Sequence, residues 1–159
     1  MSQISPQVAP PASPVLSIET LTLALPALAD RAHAVENITL AIAPGETLCV
    51  VGESGSGKSM IAHAVMGLLP KAVKPVGGAI RLAGRDLLGL DEAAMQDVRG
   101  REVGMIFQEP MTSLNPVMRV ADQIVETFEA HGLFGRSERY RRAVDLLAEV
   151  GLPDPPRLA

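Results

Sequence analysis

The sequence predicts an α/β fold, and three neighbouring features indicate it. The short apolar run from Leu48 to Val51 is typical of a buried parallel strand. A glycine-rich loop follows at residues 52 to 59. Apolar residues then recur at helical spacing from Met60 to Leu68, where Gly67 and Pro70 mark the end of the helix. Strand, glycine loop and helix therefore stand in the order in which many α/β proteins build a phosphate site.

The loop is the most informative part of the chain. It fills every fixed position of the pattern G-x-x-x-x-G-K-[ST], the P-loop. Glycines let the backbone curl so that several N–H groups can meet phosphate oxygens at once. Lys58 is expected to lie against the β- and γ-phosphates, and the Ser59 hydroxyl to ligate Mg²⁺. The predicted phosphate-binding residues are Gly52, Glu53, Ser54, Gly55, Ser56, Gly57, Lys58 and Ser59.

Hydrophobic periodicity predicts the remaining elements. Strands are expected near residues 15–25, 38–42, 79–82 and 103–107, the last ending at Gln108. Helices are expected near residues 91–99, 119–130 and 137–150, with Ser137 as the N-cap of the last one.

Composition narrows the possible functions. The 159 residues are 47% apolar and carry a net charge of −4, which argues for a folded domain. No basic stripe supports nucleic-acid binding, and the basic cluster at residues 136–142 is interpreted as a solvated helix face. No signal peptide and no apolar run of about 18 residues is found, so no direct membrane span is expected. The single cysteine, Cys49, is predicted to pack in the core.

A second segment makes a family resemblance specific. Residues 105 to 116 read Met-Ile-Phe-Gln-Glu-Pro-Met-Thr-Ser-Leu-Asn-Pro and closely resemble the Q-loop region of ABC transporter ATPases. The similarity is to the subfamily that serves oligopeptide, dipeptide and nickel importers. The form of the P-loop, residues 34–38 and residues 150–155 match the same subfamily, so the resemblance covers about residues 15 to 158.

This resemblance implies an incomplete P-loop NTPase fold that binds ATP and Mg²⁺. Residues 1–14 would be a flexible tail, residues 15–108 a partial ATP-binding core, and residues 109–159 the Q-loop exit and the start of a helical subdomain. Gln108 would act in catalysis by contacting Mg²⁺ and the attacking water. The implied partners are integral-membrane permease subunits and a second ATPase domain, of the same or another chain. The implied location is cytoplasmic, peripheral on the inner face of the plasma membrane.

The sequence departs from the family pattern in two ways, and each departure leads to a further prediction. No aromatic residue precedes Phe107, so Leu23, Leu25 and Arg31 are the candidates to replace the aromatic ring that stacks on adenine. The 159 residues also contain no Leu-Ser-Gly-Gly-Gln signature, no later apolar strand ending in Asp-Glu and no switch histidine. We therefore expect a truncated copy that binds ATP but does not hydrolyse it alone. With its neighbouring strand missing, Leu48 to Val51 is expected to be partly uncovered and to cause poor solubility or self-association.

Two other functions remain open from the sequence. The chain could be a non-catalytic nucleotide-binding or interaction module that docks on a permease or regulates an intact ATPase. A different P-loop enzyme, such as a small kinase, would leave the match at residues 105–116 without an explanation.

Overall fold

The computed structural model describes residues 13 to 108 and 113 to 158. It divides into two compact units, one up to Met95 and one from Gln96 onward. Most of the tail predicted for residues 1–14, and residues 109–112 of the predicted Q-loop exit, lie outside the described residues. Within the described ranges, none of the helices has the length and apolar character that a membrane span requires.

An antiparallel sheet of four strands forms the first unit. The strands are β1 (Leu16–Ala24), β2 (His33–Ile42), β3 (Lys74–Leu82) and β4 (Arg85–Asp86), in the order β2-β1-β3-β4. Because β1 pairs on both sides, its apolar side chains form the centre of the core, with Ile18 at 1% exposure and Leu21 and Leu23 at 0%. The strands predicted near residues 15–25, 38–42 and 79–82 are confirmed.

A shared irregularity crosses the sheet. The register of β1 shifts between Ile18 and Leu21, and Thr20 has a φ of 48°. The Thr20 N–H leaves the ladder and donates to Thr39 Oγ1 at 2.9 Å. Opposite this bulge, the neighbouring strand β3 has Gly78, whose φ is 88°. A Cβ on Gly78 would collide with the Glu19 carbonyl oxygen and lie 2.6 Å from the backbone nitrogen of Leu21, so this position requires glycine.

The helices of the first unit are short. α1 (Lys58–Val65) begins at the residue that the sequence predicts and buries Ala64 and Val65 at its end. α2 (Glu92–Val98) confirms the helix predicted near residues 91–99, and the boundary between the two units falls within it.

Two predicted strands are wrong. Leu48 to Val51 has no regular secondary structure, and Val51 is 89% exposed. Cys49 is exposed rather than packed in a core. In residues 103–107 only Val103 takes part in a bridge, to Arg99, and Ile106 is 94% exposed. A strand needs backbone partners, and in the described part of the chain no strand pairs with residues 48–51 or 104–107. Both segments are apolar, but among residues 13–108 and 113–158 they lack the inter-strand hydrogen bonds that define a strand.

A helical pair forms the second unit. α3 (Val120–Ala130) and α4 (Arg136–Glu149) pack through Ala121, Ala143 and Leu147, and α5 (Pro155–Leu158) follows. The two alanines are fully buried, and such small side chains let the helix backbones approach closely. The predicted helix types are confirmed. The predicted N-cap is wrong, because Gly135 occupies that position and no side chain caps the helix.

One basic residue of α4, Arg139, is partly buried. Arg139 donates to the Leu133 carbonyl at 2.8 Å and pairs with Glu129 at 2.9 Å. Arg142 lies over the Phe134 ring, 5.4 Å from its centroid. Arg139 therefore helps to fix the connection between α3 and α4, whereas Arg136, Arg141 and Arg142 are exposed, as the interpretation of a solvated helix face expects.

Replacing Gly78 by alanine is expected to destabilise the sheet by about 2 kcal/mol or more, because the new Cβ meets backbone atoms at a positive φ. Gly77→Ala is the matched control, since the nearest atom to its Cβ would be Thr22 Cβ at 3.9 Å. Urea denaturation followed by circular dichroism measures both. Equal midpoints for the two variants would contradict the close approach at Gly78.

The uncovered segment at residues 48–51 is expected to drive self-association, because its apolar side chains face solvent. Val51→Lys should lower the mass measured by light scattering toward that of the monomer. Leu28→Lys adds the same charge at a fully exposed leucine outside this segment and should have little effect. A wild-type chain that is monomeric at all concentrations would contradict this prediction.

Candidate functional site

The glycine loop leads directly into α1 and shapes the N-terminus of that helix. Gly55 and Gly57 have φ values of 80° and 96°, in the region that side chains rarely adopt. Gly57 is the N-cap residue of α1, and no side chain caps the helix there. The first N–H groups of a helix have no partner within the helix, so this end can bind an anion.

Lys58 is folded back onto the loop. Its Nζ donates to the carbonyl oxygens of Gly52 and Glu53, each at 2.7 Å, and to Ser56 Oγ at 3.2 Å. The ammonium group is therefore held within the loop by oxygens of the loop itself. An oxyanion in the loop could replace these neutral acceptors, because a hydrogen bond to a charged acceptor is stronger than one to a neutral acceptor.

Ser59 follows Lys58 in the first turn of α1 and is exposed. Ser59 thus lies at the same end of α1 as the glycine loop, and its role as a Mg²⁺ ligand stays a prediction. Elsewhere in the described residues, no group of three or more His, Cys, Asp or Glu side chains could hold a metal ion.

Gln108 lies in the second unit, and the prediction that it contacts Mg²⁺ stays a prediction. It is exposed and follows residues 104–107, which have no regular structure. Of the predicted loop residues, the structure brings Gly52, Glu53 and Ser56 into contact with Lys58.

Sequence reasoning missed how the loop is supported. Arg31, 24 residues before Gly55, donates from Nη2 to the Gly55 carbonyl at 2.6 Å. A Cβ on Gly57 would lie 2.5 Å from the Ala34 carbonyl oxygen. No local sequence pattern predicts either contact, because both join segments that are distant along the chain.

Of the candidates to stack on adenine, Leu23 is fully buried and cannot face a ligand.

The comparisons with known proteins agree on one family. The family model described as ABC transporter matches residues 35–158. The chain is 44% identical over 152 residues to a putative peptide import ATP-binding protein of Brucella abortus, covering 92% of this chain and 45% of that protein. It is 45% identical over 146 residues to the oligopeptide transport ATP-binding protein OppD of Mycobacterium tuberculosis, covering 91% and 24% respectively. The corresponding protein of Bacillus subtilis is 43% identical over 145 residues, covering 89% and 40%.

The chain spans less than half the length of these relatives. A solved structure of the ATP-binding cassette MJ0796, a post-hydrolysis dimer bound to ADP and Pi, superposes with a TM-score of 0.69 at 23% identity. That match covers 87% of this chain and 58% of the other, and it supports the incomplete P-loop NTPase fold. A second dimeric structure of the same cassette gives 0.68 at 21% identity, over the same shares of the two chains. Since the family model spans most of the chain and contains the glycine loop, the protein belongs to the ABC transporter family.

Proposed function

We propose that this chain is the phosphate-binding part of the ATP-binding subunit of an importer for peptides or similar small solutes. The observation that carries the proposal is the uncapped N-terminus of α1, preceded by a glycine loop that holds Lys58. The names of the relatives, which are peptide import and oligopeptide transport ATP-binding proteins, support the class of solute.

In this proposal the loop amides and the first turn of α1 bind the phosphates of ATP. Lys58 exchanges the carbonyl oxygens of Gly52 and Glu53 for the β- and γ-phosphate oxygens. Ser59 would hold Mg²⁺ together with phosphate oxygens, and Gln108 would be a further contact for the ion and for the attacking water. Bound Mg²⁺ would neutralise phosphate charge. The protein's own contribution would be the helix end and the Lys58 ammonium, which is already held within the loop.

ATP hydrolysis requires more groups in the site than ATP binding does. Hydrolysis requires a water that is oriented and activated while the phosphates and the metal are held. The 159 residues include neither a signature sequence nor an apolar strand ending in Asp-Glu. We therefore propose that this polypeptide alone binds ATP without turnover. In the working transporter, a second ATPase domain would complete the site.

The proposed partners follow from the family. Residues 15–108 would form the partial ATP-binding core, and residues 109–159 would begin the helical subdomain that contacts integral-membrane permease subunits. The protein would act at the cytoplasmic face of the plasma membrane as a peripheral subunit. Its second ATPase domain could be another copy of the chain or a related one.

The test of binding is a calorimetric titration with Mg²⁺ and ATP. Lys58→Ala should weaken binding by about tenfold or more, because a charge-assisted hydrogen bond contributes about 1.5–3 kcal/mol. Lys71→Ala removes the same charge from an exposed turn of the same unit and should bind as the wild type does. Failure of the wild-type chain to bind ATP, or equal affinity in the Lys58 variant, would overturn the proposal.

Phosphate release by the same preparations tests the second half of this proposal. The wild-type chain alone is expected to release phosphate no faster than the Lys58→Ala variant. Turnover well above that variant would show that these residues already contain a sufficient base and refute the proposed division between binding and hydrolysis.

A further inference from the structure

The loop between β1 and β2 carries an arginine to the glycine loop. This connection is closed by its own backbone, since the Leu25 N–H donates to the Ala32 carbonyl at 2.9 Å and the Ala29 N–H to the Pro26 carbonyl at 2.9 Å. Arg31 extends from it, and its Nη2 lies 2.6 Å from the Gly55 carbonyl oxygen. Arg31 is therefore a second cationic side chain at the loop, in addition to Lys58.

The residues that follow Arg31 hold the other side of the loop. A Cβ on Gly57 would lie 2.5 Å from the Ala34 carbonyl oxygen and 2.8 Å from Val35 Cγ2. Ala34 and Val35 are both 5% exposed, so this surface belongs to the core and cannot give way easily. One short segment, residues 31–35, thus contacts the loop on each side of Ser56.

The contact with Arg31 fixes the orientation of one peptide plane. The Gly55 carbonyl and the Ser56 N–H belong to the same planar group, so holding one end sets the direction of the other. In this structure the Ser56 N–H donates to the Glu53 carbonyl at 3.2 Å, within the loop. A backbone that binds an anion must turn its N–H groups toward the ligand and its carbonyls away from it. Because the Ser56 N–H has the Glu53 carbonyl as its acceptor, phosphate would have to replace that acceptor, and a cation on the Gly55 carbonyl would keep the peptide plane in place during the exchange.

We infer that Arg31 is a positioning residue for nucleotide binding, acting through the Gly55 carbonyl rather than by stacking on the base. The inference rests on the proposed function, since it assumes that phosphate binds in the loop. It accounts for an arginine in a connection that has no aromatic residue. A positioning role and a stacking role for Arg31 predict different ligand dependence. A residue that orients the loop affects every ligand with the same phosphates, whereas a residue that stacks on adenine affects ATP alone.

The experiment compares Arg31→Met with Arg81→Met in calorimetric titrations with Mg²⁺ and each of ATP, GTP and tripolyphosphate. Methionine keeps an unbranched apolar stem and removes the charge and the donors. Arg81 is a matched control, because it pairs with Glu19 at 3.5 Å on the exposed sheet surface. Arg31→Met should weaken the binding of all three ligands by about tenfold, whereas Arg81→Met should weaken none. Arg31→Lys, which keeps a cation without the planar fork, should recover part of the loss.

The outcomes separate the inference from the proposed function. If the wild-type chain binds none of the ligands, the proposed function fails first. If it binds them and Arg31→Met binds equally well, or loses affinity for ATP only, the positioning role is refuted and phosphate binding stands. The melting temperature without ligand should match the wild type, because the contact is exposed. Should Arg31→Met not fold, Arg31→Gln is judged by the same criteria.

Discussion

Gly57 packs against the start of β2 with no room for a side chain, and the geometry of the candidate site depends on this contact. The left-handed conformation of Gly57 turns the chain from the loop into α1. Its close approach to the Ala34 carbonyl ties that turn to a core residue. The N-terminus of α1 is therefore held against the sheet before any ligand binds. A helix end that is already in place reduces the cost of ordering when phosphate binds.

The glycine loop is held by contacts on the side of β2 but not on the side by which the chain enters it. On the side of β2, the segment from Arg31 to Val35 holds Gly55 and Gly57. On the side by which the chain enters the loop, Leu48 to Val51 is exposed and pairs with no strand of the described residues. Phosphate binding needs the first of these supports, because it provides the helix end and the fixed peptide planes. The second would add rigidity to the entry of the loop. The support on the side of β2 therefore favours the proposed binding of ATP, whereas the proposal on turnover rests on the groups that would orient and activate water.

The sequence predicts what depends on local pattern. The P-loop residues, the start of α1 at Lys58 and the strands that pair within the sheet all follow from motif or periodicity. It fails where a tertiary partner decides the outcome. Residues 48–51 and 103–107 are as apolar as true strands, yet apolar sequence alone cannot supply the backbone partners that a strand needs. The contact of Arg31 with Gly55 spans 24 residues, and the fit of Gly57 against Ala34 depends on the path of β2. Neither leaves a periodic signal in the sequence.

Hydrogen exchange with and without Mg²⁺ and ATP tests most directly the claim that residues 31–35 and the glycine loop act together. At saturating ligand, peptides covering residues 52–61 and residues 31–36 should both exchange more slowly, while α4 (Arg136–Glu149) should be unchanged. Protection at residues 52–61 alone would contradict the coupling between the two segments. Protection confined to the helical unit, with none in the loop, would contradict the assignment of the phosphate site itself.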